Sequence, residues 1–482
     1  MYLRGASSGT HNGNFDFAQQ RLLQAYEESH VKQVPAAVPP GPARRRPRAP
    51  WWPAIAWLFL LLPHFGFPLI GLYSPAPASV YLVYWAVLAC CTPSVLRLRL
   101  TDQTGLRWRI LLFIFYGLLS VFFGYGELSK TDHQTLSLTT GLVSYLVIAQ
   151  QDLFHLVLAF LIFEFVRFSR ISSIKLMQWW LIGMTIAVGF HVYSYFVSPD
   201  PMVRRAGVFT EGNLGGLYYV LSTFVAFEYR RFGMRRWGLV FAGLALVGIL
   251  LSASTAAILV LAITLSTIYV MRARSALAKA WRTLLVIGTL VLIGASMYGT
   301  GTDFGIGEKL FDEDVTENSF SRIDRLTSID IAIDLFLESP WFGHGLQSYG
   351  FLANDRLYGP LLETYDGSFR RIPNNIYVEL AAETGIVGLL LFSRFMVALV
   401  RRIAVSPADK NKNVLGAVLA VLCYWLAFPT YSVLFVWAFF GLALAILRAF
   451  PAPMTKRPRA TRRSARLRAL VRPPTTTAKG GQ

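Results

Sequence analysis

The sequence predicts an all-α, polytopic membrane protein with about twelve transmembrane helices and one large folded loop between the ninth and tenth. Composition is the first reason. Of 482 residues, 54% are hydrophobic and only 15% charged, and the mean hydropathy is +0.46. A soluble globular domain carries roughly 25% charged residues, so this chain lacks the polar surface that water demands. The second reason is a series of apolar runs long enough to cross a bilayer, which takes about 20 residues. The third is the placement of the cations. Together these exclude a soluble domain, a disordered chain and a disulfide scaffold as the main class. Cys90 and Cys91 are adjacent and Cys423 is distant, all within apolar runs, so neither a disulfide framework nor a zinc site is expected.

Residues 1–50 are polar, with Pro35, Pro39, Pro40, Pro42 and an arginine cluster, and read as a disordered basic arm without a cleavable signal peptide. Residues 51–450 form the transmembrane domain. Its expected spans are Trp51–Tyr73, Ala78–Leu96, Ile110–Tyr125, Gly141–Val166, Leu176–Val197, Leu214–Phe227 and Gly238–Leu251. They continue with Thr255–Met271, Leu284–Tyr298, Tyr377–Val400, Val414–Phe428 and Val433–Leu447. Residues 451–482 carry nine cations and no acid, and are expected to be a disordered tail, solvated or resting on anionic headgroups.

Orientation follows from charge. With the amino terminus in the cytoplasm, 36 of the 46 Lys and Arg residues fall inside and 9 outside, with Arg394 within a span. That is the asymmetry the positive-inside rule describes, and it places both termini in the cytoplasm. The same rule accounts for the net charge of +19, so membrane lipids rather than nucleic acid are the expected partners. Glu164 near Arg167 reads as a snorkelling pair at the inner interface. Asp152 and His155 lie in the outer half of the fourth span, either as a functional site or as a structural hydrogen-bonded pair.

Two outer segments stand out. In the loop Ser198–Asn213, Arg204 and Arg205 sit against the inside bias, which suggests an anionic ligand or lipid phosphates. The long loop, residues 299–376, holds 13 acids and 6 bases. Within it, Ser321–Pro340 spaces its apolar residues for an amphipathic helix at the membrane surface, stopped by Pro340. A glycine-rich turn, Trp341–Gly350, follows. Tyr349, Tyr358, Tyr365 and Phe369 are the loop's candidate stacking aromatics.

Three blocks then carry a resemblance: RRAGVFTEGNLGGLYYVLS (Arg204–Ser222), SRIDRLTSIDIAIDLFLESPWFGHGLQSYG (Ser321–Gly350) and PNNIYVELAAETGIVGLLLF (Pro373–Phe392). In order and topology they resemble the O-antigen ligase and Wzy-type polysaccharide polymerase family of bacterial envelope proteins. Two departures matter. Asn374 stands where ligases carry a histidine, and Ser254-Thr255 where a serine–arginine pair is often found. Both favour a polymerase over a ligase.

The resemblance implies a metal-independent, cofactor-free membrane glycosyltransferase. Its substrates would be undecaprenyl-pyrophosphate-linked oligosaccharides on the periplasmic face of the bacterial inner membrane, with a chain-length regulator and a flippase of the same pathway as possible partners. Arg205 and Arg322 are the candidates for gripping the pyrophosphate, with Arg204 and Arg325 as neighbours, because the guanidinium fork binds phosphate bidentately. Arg325 alternatively pairs with a carboxylate on its own helix. Glu211 is the candidate base, with His344 of the glycine turn as the alternative. Asn213, Asn374, Asn375 and Glu379 bind saccharide or fix the loops. Glu383 with Gly385 and Gly388 is assigned to packing of the tenth span. The alternative reading is a ligase or protein O-oligosaccharyltransferase, which differs in its acceptor. A transporter is disfavoured, because no internal repeat is found.

Overall fold

The structure, a computed structural model, describes residues 105–128, 138–168, 171–197, 209, 212–273, 275–299, 317–353, 356, 373–406, 408–428 and 433–448. Among these residues every regular element is a helix. The helices are α1 (Leu106–Leu128), α2 (Leu138–Phe168), α3 (Ser173–Val197), α4 (Gly212–Arg231), α5 (Arg235–Leu251) and α6 (Thr255–Met271). They continue with α7 (Ala276–Gly299), α8 (Glu317–Glu338), the short α9 (Tyr349–Leu352), α10 (Ile376–Ala404), α11 (Ala408–Tyr424) and α12 (Leu434–Arg448). The first two expected spans, the basic arm and the basic tail lie outside the described residues.

α1 shows why the bundle belongs in a membrane. Leu106, Ile110, Phe113 and Ser120 are buried along one face, while Trp108, Leu112, Phe115, Leu119 and Phe122 are exposed along the other. Both faces are apolar, and a three-to-four-residue spacing separates them. An outward stripe of that size is unfavourable in water and neutral in lipid. α3 repeats the arrangement with Ile182, Ile186, Phe190 and Phe196 outward. Leu106–Gly126 and Ser173–Ser194 are each long and apolar enough to span a bilayer. Among the described residues the fold is all-helical and carries two helices fit to cross a membrane, consistent with an all-α membrane protein.

α12 is apolar all round, and Leu434 through Ile446 are buried, as expected of a helix at the centre of a bundle. It lies along α2, with Phe163 edge-on to Trp437 and Trp437 stacked on Phe395 of α10. Trp180 of α3 joins the same core through Phe439 and Tyr218. α1 and α8 flank α10, and α11 lies against α4 and α6.

The helix ends at the basic side are tied by ion pairs. α1 starts four residues before the expected Ile110, because Arg107 is buried in its first turn and donates to Glu164 through Nε (2.9 Å) and Nη2 (2.6 Å). Arg167 takes the other Glu164 oxygen at 2.9 Å. Glu164 is thus a fully buried bridge between helices, more than the local interfacial pair expected. A second knot joins α4 to α6 and α11. Glu228 pairs with Arg231 of its own helix at 2.7 Å and is hydrogen-bonded to Asn413 of α11, to which Arg272 donates at 3.2 Å.

Two expectations are revised. The tenth span reads as one continuous helix, yet α10 is broken at Gly385, whose φ is 62° and ψ −168°. α8 stops before Pro340 as expected, but it does not merely rest on a surface. Its Ser328, Ile331, Ala332 and Leu335 are buried against the protein, and Leu326, Ile333 and Leu337 point away.

Candidate functional site

The end of the bundle opposite the ion pairs holds the described site residues. α4 begins there with Gly212-Asn213. Ser254 caps α6, accepting from the Ala257 N–H at 3.2 Å, and donates to Asn213 Oδ1 at 2.9 Å. Tyr424, at the end of α11, donates to the Asn213 carbonyl at 2.5 Å. Three helix termini thus meet at one asparagine. Phe209, three residues before α4, is buried against Tyr218, Tyr219 and Phe435, so the loop leading to Asn213 is pinned in the core at one point. Arg204, Arg205 and Glu211 lie in that loop but outside the described residues.

The end of α11 also receives the start of α10. Asn375 caps α10, its Oδ1 accepting from the Tyr377 N–H at 2.9 Å and the Val378 N–H at 3.4 Å. The Ile376 N–H donates to the Trp425 carbonyl at 3.0 Å, and Tyr377 donates its hydroxyl to the Leu422 carbonyl at 3.1 Å. Asn374 is half-buried beside the cap. Glu379 and Glu383 follow one and two turns along α10, and both are buried. Asn375 and Glu383 are about 12 Å apart along the axis at 1.5 Å per residue.

At Glu383 the third component docks. Breaking α10 at Gly385 strands two carbonyls and two N–H groups, which must find partners in a low-dielectric interior. The segment Pro340–Gly345 supplies all four. His344 N–H donates to Ala382 O at 3.0 Å and Gly345 N–H to Glu383 O at 2.7 Å. In return Ile386 N–H donates to Pro340 O at 2.8 Å and Val387 N–H to Trp341 O at 3.3 Å. Only glycine fits at 385, since a Cβ there would strike the Trp341 carbonyl and φ is positive. Gly388 does serve close packing as expected, against Thr384 and Tyr116.

The turn is also held from α1 and α2. Leu346 N–H donates to Ser120 Oγ at 3.1 Å, and the Tyr145 hydroxyl donates to Leu346 O at 3.1 Å. Tyr116 donates to Thr384 O at 2.9 Å, beside the break. Gln347, at φ 67°, donates its amide to Asp152 Oδ2 at 2.9 Å. Asp152 therefore reaches the turn from α2.

His344 is buried, and its Nε2 lies 2.9 Å from Leu335 O. A carbonyl only accepts, so Nε2 carries a proton, and Nδ1 is the nitrogen that accepts when the ring is neutral. Glu338 beside it is bonded by Arg356 at 2.8 and 2.6 Å, and those bonds hold its carboxyl below the usual range. Tyr349 is buried with its hydroxyl on Ser328 O at 2.7 Å, so it fastens α8 instead of facing a sugar ring. Tyr358, Tyr365 and Phe369 lie outside the described residues. Arg322 sits in the second turn of α8, and Arg325, three residues on, is exposed.

The site thus assembles three segments distant in sequence: the start of α4, the α8–turn unit and the first half of α10. Sequence reasoning selected Asn213, Asn375, Glu379 and His344. It missed the linking residues Tyr424 and Ser120, because a tyrosine or serine inside an apolar run carries no outward signal, and Gln347, whose partner Asp152 is 195 positions away.

Residues 239–393 match a family model described as O-antigen ligase. The match runs from α5 into α10 and contains Ser254, α8, the glycine turn and Asn375, while Asn213 precedes it. The resemblance read from the sequence is thereby shown over these residues. No curated protein matches the chain.

Proposed function

We propose that the chain, matched over residues 239–393 to the O-antigen ligase family, polymerises undecaprenyl-pyrophosphate-linked oligosaccharide repeats on the periplasmic face of the inner membrane. One observation carries the reading. The three blocks that resemble the family are separated by up to 151 residues in sequence (Ser222 to Pro373), yet their described parts meet at one end of the bundle through α10 and α11.

In the proposed reaction the acceptor hydroxyl attacks the anomeric carbon of the donor sugar. The bond from that carbon to the phosphate oxygen breaks, and undecaprenyl pyrophosphate leaves with the electron pair. The hydroxyl proton passes to a base, for which Glu211 is the candidate because it immediately precedes α4 and Asn213. His344 Nδ1 is the alternative. Arg205 and Arg322, with Arg204 and Arg325 beside them, offset the charge that develops on the leaving diphosphate. Such a leaving group is already stable, so positioning and charge neutralisation suffice without a metal ion or cofactor. Asn213, Asn374, Asn375 and Glu379 orient the acceptor saccharide.

A ligase or protein O-oligosaccharyltransferase uses the same donor chemistry, and the description of the matching family favours it. Asn374, in place of the ligase histidine, favours the polymerase. Analysis of lipid-linked glycans in a strain lacking the chain separates the two. A polymerase leaves single repeat units. A ligase leaves long chains on the undecaprenyl carrier. Unaltered glycans of every kind would refute both.

A further inference from the structure

Two polar knots tie the same three helices, one at each end of the bundle. At the site end, Asn213 of α4, the Ser254 cap of α6 and Tyr424 of α11 meet one another. At the basic end, Glu228 of α4 is hydrogen-bonded to Asn413 of α11. The Asn413 side-chain oxygen in turn accepts from Arg272, which caps the other end of α6, at 3.2 Å. Asn213 and Glu228 lie about 22 Å apart along α4 at 1.5 Å per residue. We propose, on the functional reading above, that Asn413, Arg272 and Glu228 are positioning residues of the glycan-transfer site. From the opposite end of the bundle they set where Asn213 stands.

The stretch between the knots is closely packed. Gly216 brings α4 against α6, where a Cβ would collide with Ser254 and Ala257. Gly416 does the same for α11, where a Cβ would strike Ile268 of α6 beside Thr264. Ala417, Val418, Ala420 and Val421 of α11 are all buried. An interior packed in this way passes a shift on instead of absorbing it. With the basic end released, α4 slides or turns against α6 and α11, and Asn213 moves with it. Transfer is sensitive to such a movement, because a displacement of about 1 Å at the reacting groups costs up to roughly a hundredfold in rate. The Glu164 bridge supplies an internal control. It stands at the same basic end and is as fully buried as Glu228, but it joins α1 to α2 and so lies outside the three helices.

The test uses the purified full chain in vesicles supplied with undecaprenyl-pyrophosphate-linked repeat units. Asn413→Ala severs the knot at its centre, and Arg272→Ala severs it at an exposed residue whose loss leaves the fold intact. Each should lower kcat about two- to thirtyfold, the range that remote packing links reach. KM should stay within about twofold, because Asn213 is displaced and not removed. Arg272→Lys keeps a donor for Asn413 and should recover most of the rate. Sites this far apart ordinarily act independently, so their losses multiply. In Arg272→Ala combined with Ser254→Ala, the loss should instead fall short of that product by at least about twofold. Glu164→Gln combined with Ser254→Ala should reach its product. A full product for Arg272→Ala, an equal shortfall for Glu164→Gln, or an unchanged kcat in both severed variants would overturn the proposal. Melting temperatures carry the same cycles without substrate. A wild type that transfers no repeat units sinks the functional reading, and the melting cycles then decide the link by themselves: additive shifts would overturn it, and shifts that fall short of additive would uphold it.

Discussion

The amide of Gln347 donates to Asp152 Oδ2 at 2.9 Å, and this bond fixes a residue whose φ is 67° in the turn that fills the break in α10. It couples α2 to the α8–turn unit across 195 positions of sequence. Both partners are buried, so removing one leaves the other without a bond made in the native state. Asp152→Ala should cost about 1–3 kcal/mol of stability and most of the polymer, with Asp152→Asn less severe. In a thermal-melting double-mutant cycle with Gln347→Ala, the coupling should exceed about 0.5 kcal/mol. Additive losses would remove the assigned link.

Gly385 should be intolerant of any side chain. Its conformation is close to one reserved for glycine, costing roughly 1–3 kcal/mol for other residues, and a Cβ would also meet the Trp341 carbonyl. Gly385→Ala should therefore lower the melting temperature and activity together. Gly243→Ala in α5, where a Cβ meets nothing within 4 Å, is the control and should be neutral or slightly stabilising. Equal behaviour of the two variants would contradict the broken-helix account.

Ser254 has two tasks, capping α6 and holding Asn213. Ser254→Ala should lose both, at about 1–2 kcal/mol. Ser254→Asp restores the cap but places an acceptor opposite the Asn213 carbonyl oxygen of the side chain, which needs a donor. It should thus recover stability without recovering full polymer formation, measured on the same preparation. Full recovery of both would show that the bond to Asn213 is unimportant.

The Glu338–Arg356 pair predicts a small acid sensitivity of the α8 end. Bonding by Arg356 lowers the Glu338 carboxyl below its ordinary 4.5. A carboxylate depressed in the folded state adds stability that is fully present above that ordinary value. The contribution is lost as pH falls through the folded value. Glu338 is half exposed, so screening keeps the gain below about 1 kcal/mol. Melting curves of wild type and Glu338→Gln should differ at neutral pH and converge in acid; a constant offset would refute the pairing.

Much of the helical layout was legible because membrane helices announce themselves by apolar runs. Thr255–Met271 is bounded by the Ser254 cap and Arg272, and both boundaries are where the pattern puts them. Pro340 likewise marks the stop of α8. The break at Gly385 was not legible, since no proline interrupts the run there and Glu383 and Thr384 beside it read as ordinary polar positions of a continuous helix. Its cause lies in a partner segment some forty residues earlier (the glycine turn). Arg107 was set outside its helix because it stands among Arg97, Arg99 and Arg109, which together read as an inside loop, and the Glu164 carboxylate that receives it lies 57 positions away. Within the site, polar residues at span ends were found. Tyr349 was misassigned because its aromatic ring gives no sign of the Ser328 carbonyl that engages its hydroxyl.

The account's central claim is that arginines on the loop before α4 and on α8 hold a diphosphate while glycan is transferred. Its most direct measurement is polymer length made by Arg205→Ala and Arg322→Ala in membranes supplied with lipid-linked repeat units, at matched protein levels. The account predicts that each variant yields single repeats only, and that Arg205→Lys keeps a fraction of activity through its point charge. Polymer of normal length from both alanine variants would contradict it.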